Sequence, residues 1–563
     1  MRATAWFEAE RQNVRAAARQ LRRDPGFTAI AVLSLALGIG ANSAIFSVVD
    51  SVLLRPLPYA HADRLFELRE RNGPRDAGGM NVTYGNFGEW RDRQRAFDAL
   101  GAYSYAGFTL VGVGEPQHVA AFAASAGYWH AMYVPPVVGR YYGPEDDVPG
   151  APHVTVLSYA FWQSTFGGDP RVVGRTIRLD NTPYTVVGVA PADYSLTPDA
   201  PAIWVPLALT PAQLAEHGDH ELTVIGRVRD GIAPAAAIAE LTRIETDLAQ
   251  RFPNAYFDGG IVARPLRDSV VGPVRALLLI LLGAVGLVLL IACGNVMNLL
   301  LARAAVRRKE VAIRCALGAN RARLLAQLLT ESVLLALLGA AAGLAVAALG
   351  VRALLASAPL GVPRLQQAGI DGSVLAFTML LAMMCGIGFG LVPALRSTRV
   401  DLPKHLRARA RGYKGSLRAG LRAALVIGEI SLSLVLLVGA GLLVRSAIAL
   451  EHVDPGFNPH DLLVLRTGLS TARYPSDTAV RQAFVQVAAA VAAVPGVRQA
   501  ALVSRIPIGA GGADCGAYAE GAAPADKTGV DANLRTATSN YFSTIGDPIV
   551  RGRAFTAADV DGS

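Results

Sequence analysis

The chain has 563 residues and a formal net charge of +9, and 52% of its side chains are hydrophobic while 17% are charged. Such a composition is too apolar for a soluble enzyme of this size. The basic residues gather in short segments beside apolar runs, without the interleaved aromatic and basic residues of a nucleic-acid interface, so no nucleic-acid partner is expected.

The first 54 residues predict a surface helix followed by a membrane span. Within residues 1–24, Val14, Ala17 and Leu21 share one helical face while arginines cover the other sides. This pattern predicts a basic amphipathic helix on the inner membrane surface; the alternative is a plain charged leader. Residues 27–54 then form the first span, because a bilayer core takes about 20 apolar residues. The run is too long for a cleavable signal peptide and lacks a small-residue cleavage pattern.

Residues 56–273 predict a large extracytoplasmic domain of mixed α and β structure. Alternating residues from Thr176 lead into Asp180-Asn181, which favour a turn, and a second strand returns over Tyr184–Val189. This pattern predicts a β-hairpin. Apolar residues at helical spacing predict a helix over Ala235–Arg251.

Further apolar runs predict four more membrane helices. The expected fold class is therefore an α-helical transmembrane bundle with large mixed α/β extracytoplasmic domains. The segments 303–323 and 396–422 are strongly basic, and the positive-inside rule places both, together with the N-terminus, in the cytoplasm. The later spans are expected at 276–302, 324–355, 374–395 and 423–444, and a second extracytoplasmic region at 449–563.

Small residues recur within the third and fourth spans. Gly339 and Gly343 stand four residues apart, and Gly386, Gly388 and Gly390 crowd the next span. Small residues let membrane helices approach closely, so these glycines predict helix packing rather than a substrate path.

The basic segment 303–323 carries an ordered motif as well as charge. It reads RRKEVAIRCALGA from Arg307 to Ala319, and this string resembles the coupling signature of FtsX/MacB-type permeases of the ABC transporter superfamily, with Ala312 replacing the usual glycine. In that family the segment contacts a separate cytoplasmic ATPase subunit. The alternative is a basic loop that only fixes orientation. The resemblance implies ATPase contacts at Lys309, Glu310, Ile313, Arg314, Ala316, Leu317, Gly318 and Ala319.

The resemblance extends to the extracytoplasmic region, since Leu157–Pro191 is similar to the periplasmic core domain of MacB-type permeases. It implies a multi-pass protein of the bacterial inner membrane whose partners are the bilayer, a separate ABC ATPase and, as a further candidate, an extracytoplasmic protein. In such permeases the helices expected at 27–54 and 276–302 would carry ATP-driven motion outward, for efflux or another mechanical task. An ATPase-independent scaffold or sensor is the rival hypothesis.

An internal repeat is visible between the two extracytoplasmic regions. Tyr128-Trp129 precedes Gly139-Arg140 by eleven residues, and Tyr541-Phe542 precedes Gly552-Arg553 by the same interval, with acidic residues after each pair. Repeats of this length indicate a duplicated unit. Because the second unit stops at Ser563, the sequence reads as a duplicated permease truncated within its second repeat.

Catalytic and cofactor motifs are missing from the sequence. It contains no G-x-x-x-x-G-K-[ST] phosphate loop, H-E-x-x-H or G-x-S-x-G, so neither an enzymatic activity nor a cofactor is expected and any ATPase would be a separate subunit. The cluster from His217 to Glu221 and the acidic turn Glu145–Asp147 are expected to be solvated loops rather than metal sites. The four cysteines are too scattered for a disulfide framework.

Overall fold

A computed structural model describes the chain as two compact units, one of residues 1–55 and 271–452 and one of residues 56–270 and 453–563. The description leaves out residues 1, 72–77, 193, 195–200, 253–259, 307–320, 358–363, 399–415, 466, 468, 470–473, 475, 508–512, 518–529, 557–558 and 560–563.

The described elements of the first unit are helices, whereas the second unit contains both helices and strands. The helices are α1 (Arg2–Arg23), α2 (Pro25–Val49), α3 (Tyr84–Arg93), α4 (Ala126–Met132), α5 (Tyr159–Phe166), α6 (Pro211–Leu214), α7 (Pro234–Arg251), α8 (Leu266–Val306), α9 (Arg321–Ala356), α10 (Gly372–Thr398), α11 (Ser416–Glu451), α12 (Asp477–Ala492) and α13 (Tyr541–Ile545). The strands are β1 (Leu65–Arg71), β2 (Val82–Thr83), β3 (Phe97–Val111), β4 (Gln117–Ala124), β5 (Val138–Gly139), β6 (Val154–Leu157), β7 (Thr176–Leu179), β8 (Thr182–Val189), β9 (Ile203–Pro206), β10 (His220–Val228), β11 (Gly260–Pro265), β12 (Ala513–Ala517) and β13 (Val530–Leu534).

Among the described residues, five helices are long and apolar enough to cross a bilayer. Their apolar portions are Pro25–Leu54, Leu266–Arg303, Leu325–Ala356, Gly372–Leu391 and Ala423–Glu451. The second of these helices begins earlier than the sequence suggests, because α8 starts at Leu266 and continues through Pro273. An interior proline removes one backbone hydrogen bond and disfavours a helix, but membrane helices tolerate it, so Pro273 does not mark the boundary of α8.

The N-terminal helix packs against other helices of its unit. Asp24 separates α1 from α2, whose first residue is Pro25, the helical position that proline favours. On the apolar face of α1, Ala17 and Leu21 are almost fully buried while Val14 is 43% exposed, and Leu21 joins a core cluster with Leu35 of α2. Arginines of α1 remain exposed, so the helix is amphipathic with its apolar side turned to protein.

Close packing of small residues holds α2, α9 and α10 together. A Cβ atom added to Gly339 or Gly343 would lie 2.6–3.1 Å from atoms of α2, and one added to Gly386 or Gly390 would lie 2.7–2.9 Å from atoms of α9. The packing role predicted for these glycines is confirmed. The packing role predicted for Gly388 is wrong, because a Cβ atom added there would meet no described residue within 4 Å.

The second unit is built on one eleven-stranded sheet. The strand order is β11-β1-β10-β3-β4-β9-β6-β8-β5, with β2 on β10 and β7 between β3 and β8. The predicted hairpin is confirmed as β7 and β8. Its two turn residues, Asp180 and Asn181, have φ values of 48° and 66°, the left-handed values of a type I′ turn whose twist matches the flanking strands.

Two apolar clusters hold this α/β domain together. One packs α3 and α7 on β1, β3 and β10, around Trp90, Phe97 and Leu241. The other packs α5 on β4 and β6–β9, around Trp162, Val186 and Ile203. The helix predicted over Ala235–Arg251 is confirmed as α7.

Candidate functional site

The residues predicted to contact an ATPase lie outside the described part of the chain. Lys309, Glu310, Ile313, Arg314, Ala316, Leu317, Gly318 and Ala319 all fall within the segment 307–320. The structure describes the helices on either side of this segment, α8 up to Val306 and α9 from Arg321.

Arg303, near the end of α8, forms a charged junction with the neighbouring helices. Its Nη1 donates to Glu331 Oε1 of α9 at 2.6 Å, and its Nη2 donates to the Asp24 carboxylate and, at 3.3 Å, to the Gln20 carbonyl of α1. The guanidinium carbon lies 4.5 Å from the ring centre of Phe27 in α2, a cation–π contact. We call this cluster the Arg303 junction.

Burial makes the Arg303 junction energetically important. The side chains of Arg303 and Glu331 are 12% and 8% exposed, whereas that of Asp24 is 50% exposed. A buried charge without its partner is costly, so each member requires the other. The junction therefore ties α1, α2, α8 and α9 together directly before the predicted coupling segment.

A second charged junction lies at the opposite end of α2, where five residues form a π-helical turn. Asp50 of this turn accepts from Arg55 Nε at 3.0 Å and from Ser373 Oγ at 2.9 Å. Arg55 also pairs with Asp371, and its carbonyl accepts from Arg364 Nη1 at 3.0 Å. The Asp50 junction thus fixes the end of α2 to the start of α10 and the loop before it.

Within the α/β domain, a buried arginine holds the chain that leaves α2. Arg227 of β10 donates to the Ala60 carbonyl at 2.6 Å and to the Ala131 carbonyl of α4 at 2.7 Å. Burial lowers the pKa of Arg227, with Arg64 as the next cause. Because both acceptors are backbone carbonyls, Arg227 fixes the path of the main chain after α2 to the centre of the sheet.

Equivalent hydrogen bonds occur in the two α/β regions, at the positions that the predicted repeat pairs with each other. Arg140 donates to Asp146 and to the next carbonyl in the chain, and Arg553 donates in the same way to Asp559 and to Ala554. In both cases the arginine follows a glycine with positive φ. Each guanidinium holds the pKa of its aspartate below the usual range.

The similarity includes the start of the helix that precedes each arginine–aspartate pair, which we call the arginine–aspartate clamp. Ser125 Oγ accepts from the Ala102 N–H just before α4, and Thr538 Oγ1 accepts from the Leu502 N–H just before α13. The carbonyl of each residue also accepts from the N–H three residues on, at Tyr128 and at Tyr541.

Both clusters predicted to be solvated contain exposed residues, Glu145 in one and Asp219 and Glu221 in the other, but each also contains a buried one. In the acidic turn, Asp146 is 9% exposed and bound to Arg140, while Asp147 accepts from the Ala126 and Ala208 amides. Sequence patterns miss this because two of these three donors lie far along the chain.

The histidine cluster is likewise partly buried. His220 is 5% exposed, and its Nε2 lies 2.9 Å from Glu70 Oε2. Asn86 Nδ2 donates to Glu70 Oε1 at 2.9 Å, and Trp90 Nε1 donates to Glu245 Oε2 at 2.8 Å. Burial, followed by the nearby Glu70 charge, raises the pKa of Glu245 well above its ordinary value. This polar network connects β1, α3, β10 and α7.

Comparison with known proteins adds family information to this architecture. Residues 28–244 match the model of the MacB-like periplasmic core domain, and residues 282–402 match the model of the FtsX-like permease C-terminal region. The first match includes most of the α/β domain, and the second includes much of α8 together with α9 and α10. The chain belongs to the FtsX/MacB-type permeases of the ABC transporter superfamily.

Among curated relatives, the macrolide export ATP-binding/permease protein MacB of Burkholderia thailandensis is 31% identical over 266 residues, or 47% of this chain and 39% of the relative. The pyoverdine export ATP-binding/permease protein PvdT of Pseudomonas savastanoi pv. phaseolicola is 28% identical over 294 residues, which are 51% of this chain and 43% of the relative. The chain thus spans about two fifths of the length of these relatives. The solved periplasmic region of MacB from Actinobacillus actinomycetemcomitans aligns with 38% of this chain and 94% of its own, at 15% identity and a TM-score of 0.30.

Proposed function

We propose that the chain is the permease subunit of an ABC-type exporter of the bacterial inner membrane, driven by a separate ATPase. The observation that carries the proposal is the Arg303 junction. Arg303 lies six residues before Lys309 in the chain and is bonded to three neighbouring segments. A displacement of the coupling segment would therefore act on four helices at once.

The route from the coupling segment to the periplasmic core domain would run along α2. Its near end is held by the Arg303 junction through Phe27, and its far end by the Asp50 junction. The chain leaving α2 reaches Ala60, whose carbonyl binds Arg227 of the sheet. Three charged contacts therefore support a mechanical connection from residues 309–319 to the domain.

The proposed orientation places the N-terminus and both basic segments in the cytoplasm. Single cysteines at Asn320 and Asp180, introduced into a chain without its four native cysteines, test this in intact cells. An impermeant thiol reagent should label position 180 and not position 320. The reverse pattern would refute the orientation.

ATPase coupling is tested by charge reversal within the segment. Glu310 and Arg314 stand four residues apart, so on a helix they would share a face. Removing a buried interfacial charge partner costs about 2–5 kcal/mol, which weakens association tens to thousands of fold. We expect Glu310→Lys and Arg314→Glu each to reduce co-purification of the cognate ATPase and its stimulated hydrolysis.

Arg11→Glu is the matched control, because Arg11 is an exposed arginine of α1 outside the coupling motif. It should leave co-purification unchanged. If both reversals bind the ATPase normally while the protein inserts into the membrane, coupling through this segment is refuted and the scaffold or sensor hypothesis is favoured.

A further inference from the structure

Glu429 is an unusual residue within the apolar span of α11. It is the one acidic side chain between Ala423 and Leu450, and it lies within the apolar portion of that helix. Ionisable residues inside a membrane are costly and therefore point to a function.

The Glu429 side chain lies directly on α8. Its Oε1 is 3.4 Å from Asn298 Nδ2, and a Cβ atom added to Gly294 would lie 2.6 Å from the same oxygen. Only a glycine at position 294 allows this approach. Apolar side chains of α11 such as Ile427 and Ile430 are 64% exposed. The Glu429 carboxyl is therefore a specific contact on a helix whose neighbouring side chains are mostly exposed.

Asn298 presents a second polar atom that an ionised Glu429 cannot satisfy. Its Oδ1 is buried and has no hydrogen-bond partner in the part of the chain that the structure describes. A carboxylate only accepts hydrogen bonds, whereas a protonated carboxyl donates one and accepts another. A neutral Glu429 can accept from Asn298 Nδ2 and donate to Asn298 Oδ1, forming a paired acid–amide contact that leaves no polar atom unsatisfied.

The charged groups around this contact do not favour a carboxylate. On α8, Arg303 follows Asn298 by five residues, but its guanidinium is held by Glu331 and Asp24. Along α11, the nearest basic residues in sequence are Arg422, seven residues before Glu429, and Arg445, sixteen residues after it. Among the described residues, Glu429 takes part in no ion pair within 4.0 Å.

We propose that Glu429 and Asn298 form a proton-binding site within the membrane, in which the neutral acid docks α11 on α8 and loss of the proton releases it. The ligand is a proton, and the site joins the helix that precedes the second repeat to the four-helix bundle of the first. This inference does not depend on ATPase coupling.

Infrared difference spectroscopy of the full chain carrying Glu245→Gln, in lipid nanodiscs and titrated with alkali, tests the protonation; Glu245 is replaced because its raised pKa would give a carboxylic-acid band of its own. We expect a carboxylic-acid carbonyl band at neutral pH that disappears on further alkalinisation. The band should be absent in Glu429→Gln, unchanged in Glu451→Gln at the exposed end of the same helix, and lost at lower pH in Asn298→Ala. Identical spectra for wild type and Glu429→Gln at neutral pH would overturn the proposal, because Glu429 would then be ionised.

A residue exchange tests the docking. Because the buried Glu245 also takes up a proton on folding, these variants are made in a Glu245→Gln background. Thermal unfolding midpoints in nanodiscs should fall with rising pH for that parent chain and stay level when Glu429→Gln is added, whose amide cannot lose a proton. The double variant Asn298→Glu/Glu429→Asn restores one acid and one amide, and should restore the pH dependence. If the double variant stays level while its carboxylic band is present, the site binds a proton without controlling docking and the release step is overturned.

Discussion

Replacing Arg303 with methionine should weaken the helical unit more than any other single change at the Arg303 junction. The substitution keeps an unbranched side chain but removes the guanidinium that binds the Glu331 carboxylate, whose side chain is 8% exposed. Removing one partner of a buried pair costs about 3–5 kcal/mol. The contact to Asp24 adds at most about 1 kcal/mol, because that carboxylate is half exposed.

The reciprocal change should be milder. In Glu331→Met, Arg303 keeps Asp24, the Gln20 carbonyl and the ring of Phe27, so we expect a loss of about 1–3 kcal/mol. The double variant Arg303→Met/Glu331→Met removes both charges together. Since apolar replacement of a whole buried pair is often neutral, it should recover most of the loss seen in Arg303→Met.

A double-mutant cycle measured by denaturant titration in mixed micelles, followed by helical circular dichroism, gives the coupling energy directly. Arg445→Met is the control, because Arg445 is an exposed arginine of α11 and should change stability by less than about 0.5 kcal/mol. An Arg303→Met variant that is as stable as this control would refute the predicted cost of breaking the Arg303–Glu331 pair. A double variant that is no more stable than Arg303→Met would refute it as well.

Three further outcomes are expected. Folding of the α/β domain takes up a proton at Glu245, whose pKa is raised, so its stability should be greatest in acid and fall by up to about 1.4 kcal/mol per pH unit as pH rises above the unfolded value; Glu245→Gln should flatten this slope in thermal unfolding. Oxidation with copper phenanthroline should form a disulfide between Cys293 and Cys385, whose sulfur atoms are 3.5 Å apart. Mass spectrometry should detect this disulfide in the wild type and not in Cys293→Ser. Both Gly139→Ala and Gly552→Ala place alanine at positive φ, but protease resistance should fall further in Gly139→Ala, where the new Cβ would lie 2.2 Å from a carbonyl oxygen.

Local patterns allowed much of the fold to be predicted. The hairpin at Asp180-Asn181 and helix α7 follow from alternation and helical spacing over fewer than twenty residues. Side-chain contacts could not be predicted where the two partners lie far apart in the sequence. Glu331 stands out in an apolar run and an intramembrane acid implies a partner, but its partner Arg303 is 28 residues away and Asp24 is 279 residues from Arg303.

The same limit explains why the burial of His220 could not be predicted from the sequence. His-Gly-Asp-His is a polar string that loops commonly contain, yet His220 begins a strand and meets Glu70, 150 residues earlier. Strand β10 runs through the middle of the sheet, so a residue at its start is covered by elements from several parts of the chain. Polarity in sequence therefore did not indicate exposure here.

Equivalent hydrogen bonds show where the two α/β regions agree and where they differ in length. Ser125 and Thr538 make equivalent bonds to Ala102 and Leu502, but the two members are 23 residues apart in the first repeat and 36 apart in the second. The pair Tyr103–Ala124 of the β3–β4 hairpin corresponds to the isolated bridge Val503–Ala537. The strands β12 and β13 therefore occupy the place of that hairpin, and the additional residues lengthen it beyond the hydrogen-bonded base. Because the base and the clamp are fixed by bonds between specific side chains and the backbone, the connection between them is where the two copies can differ in length.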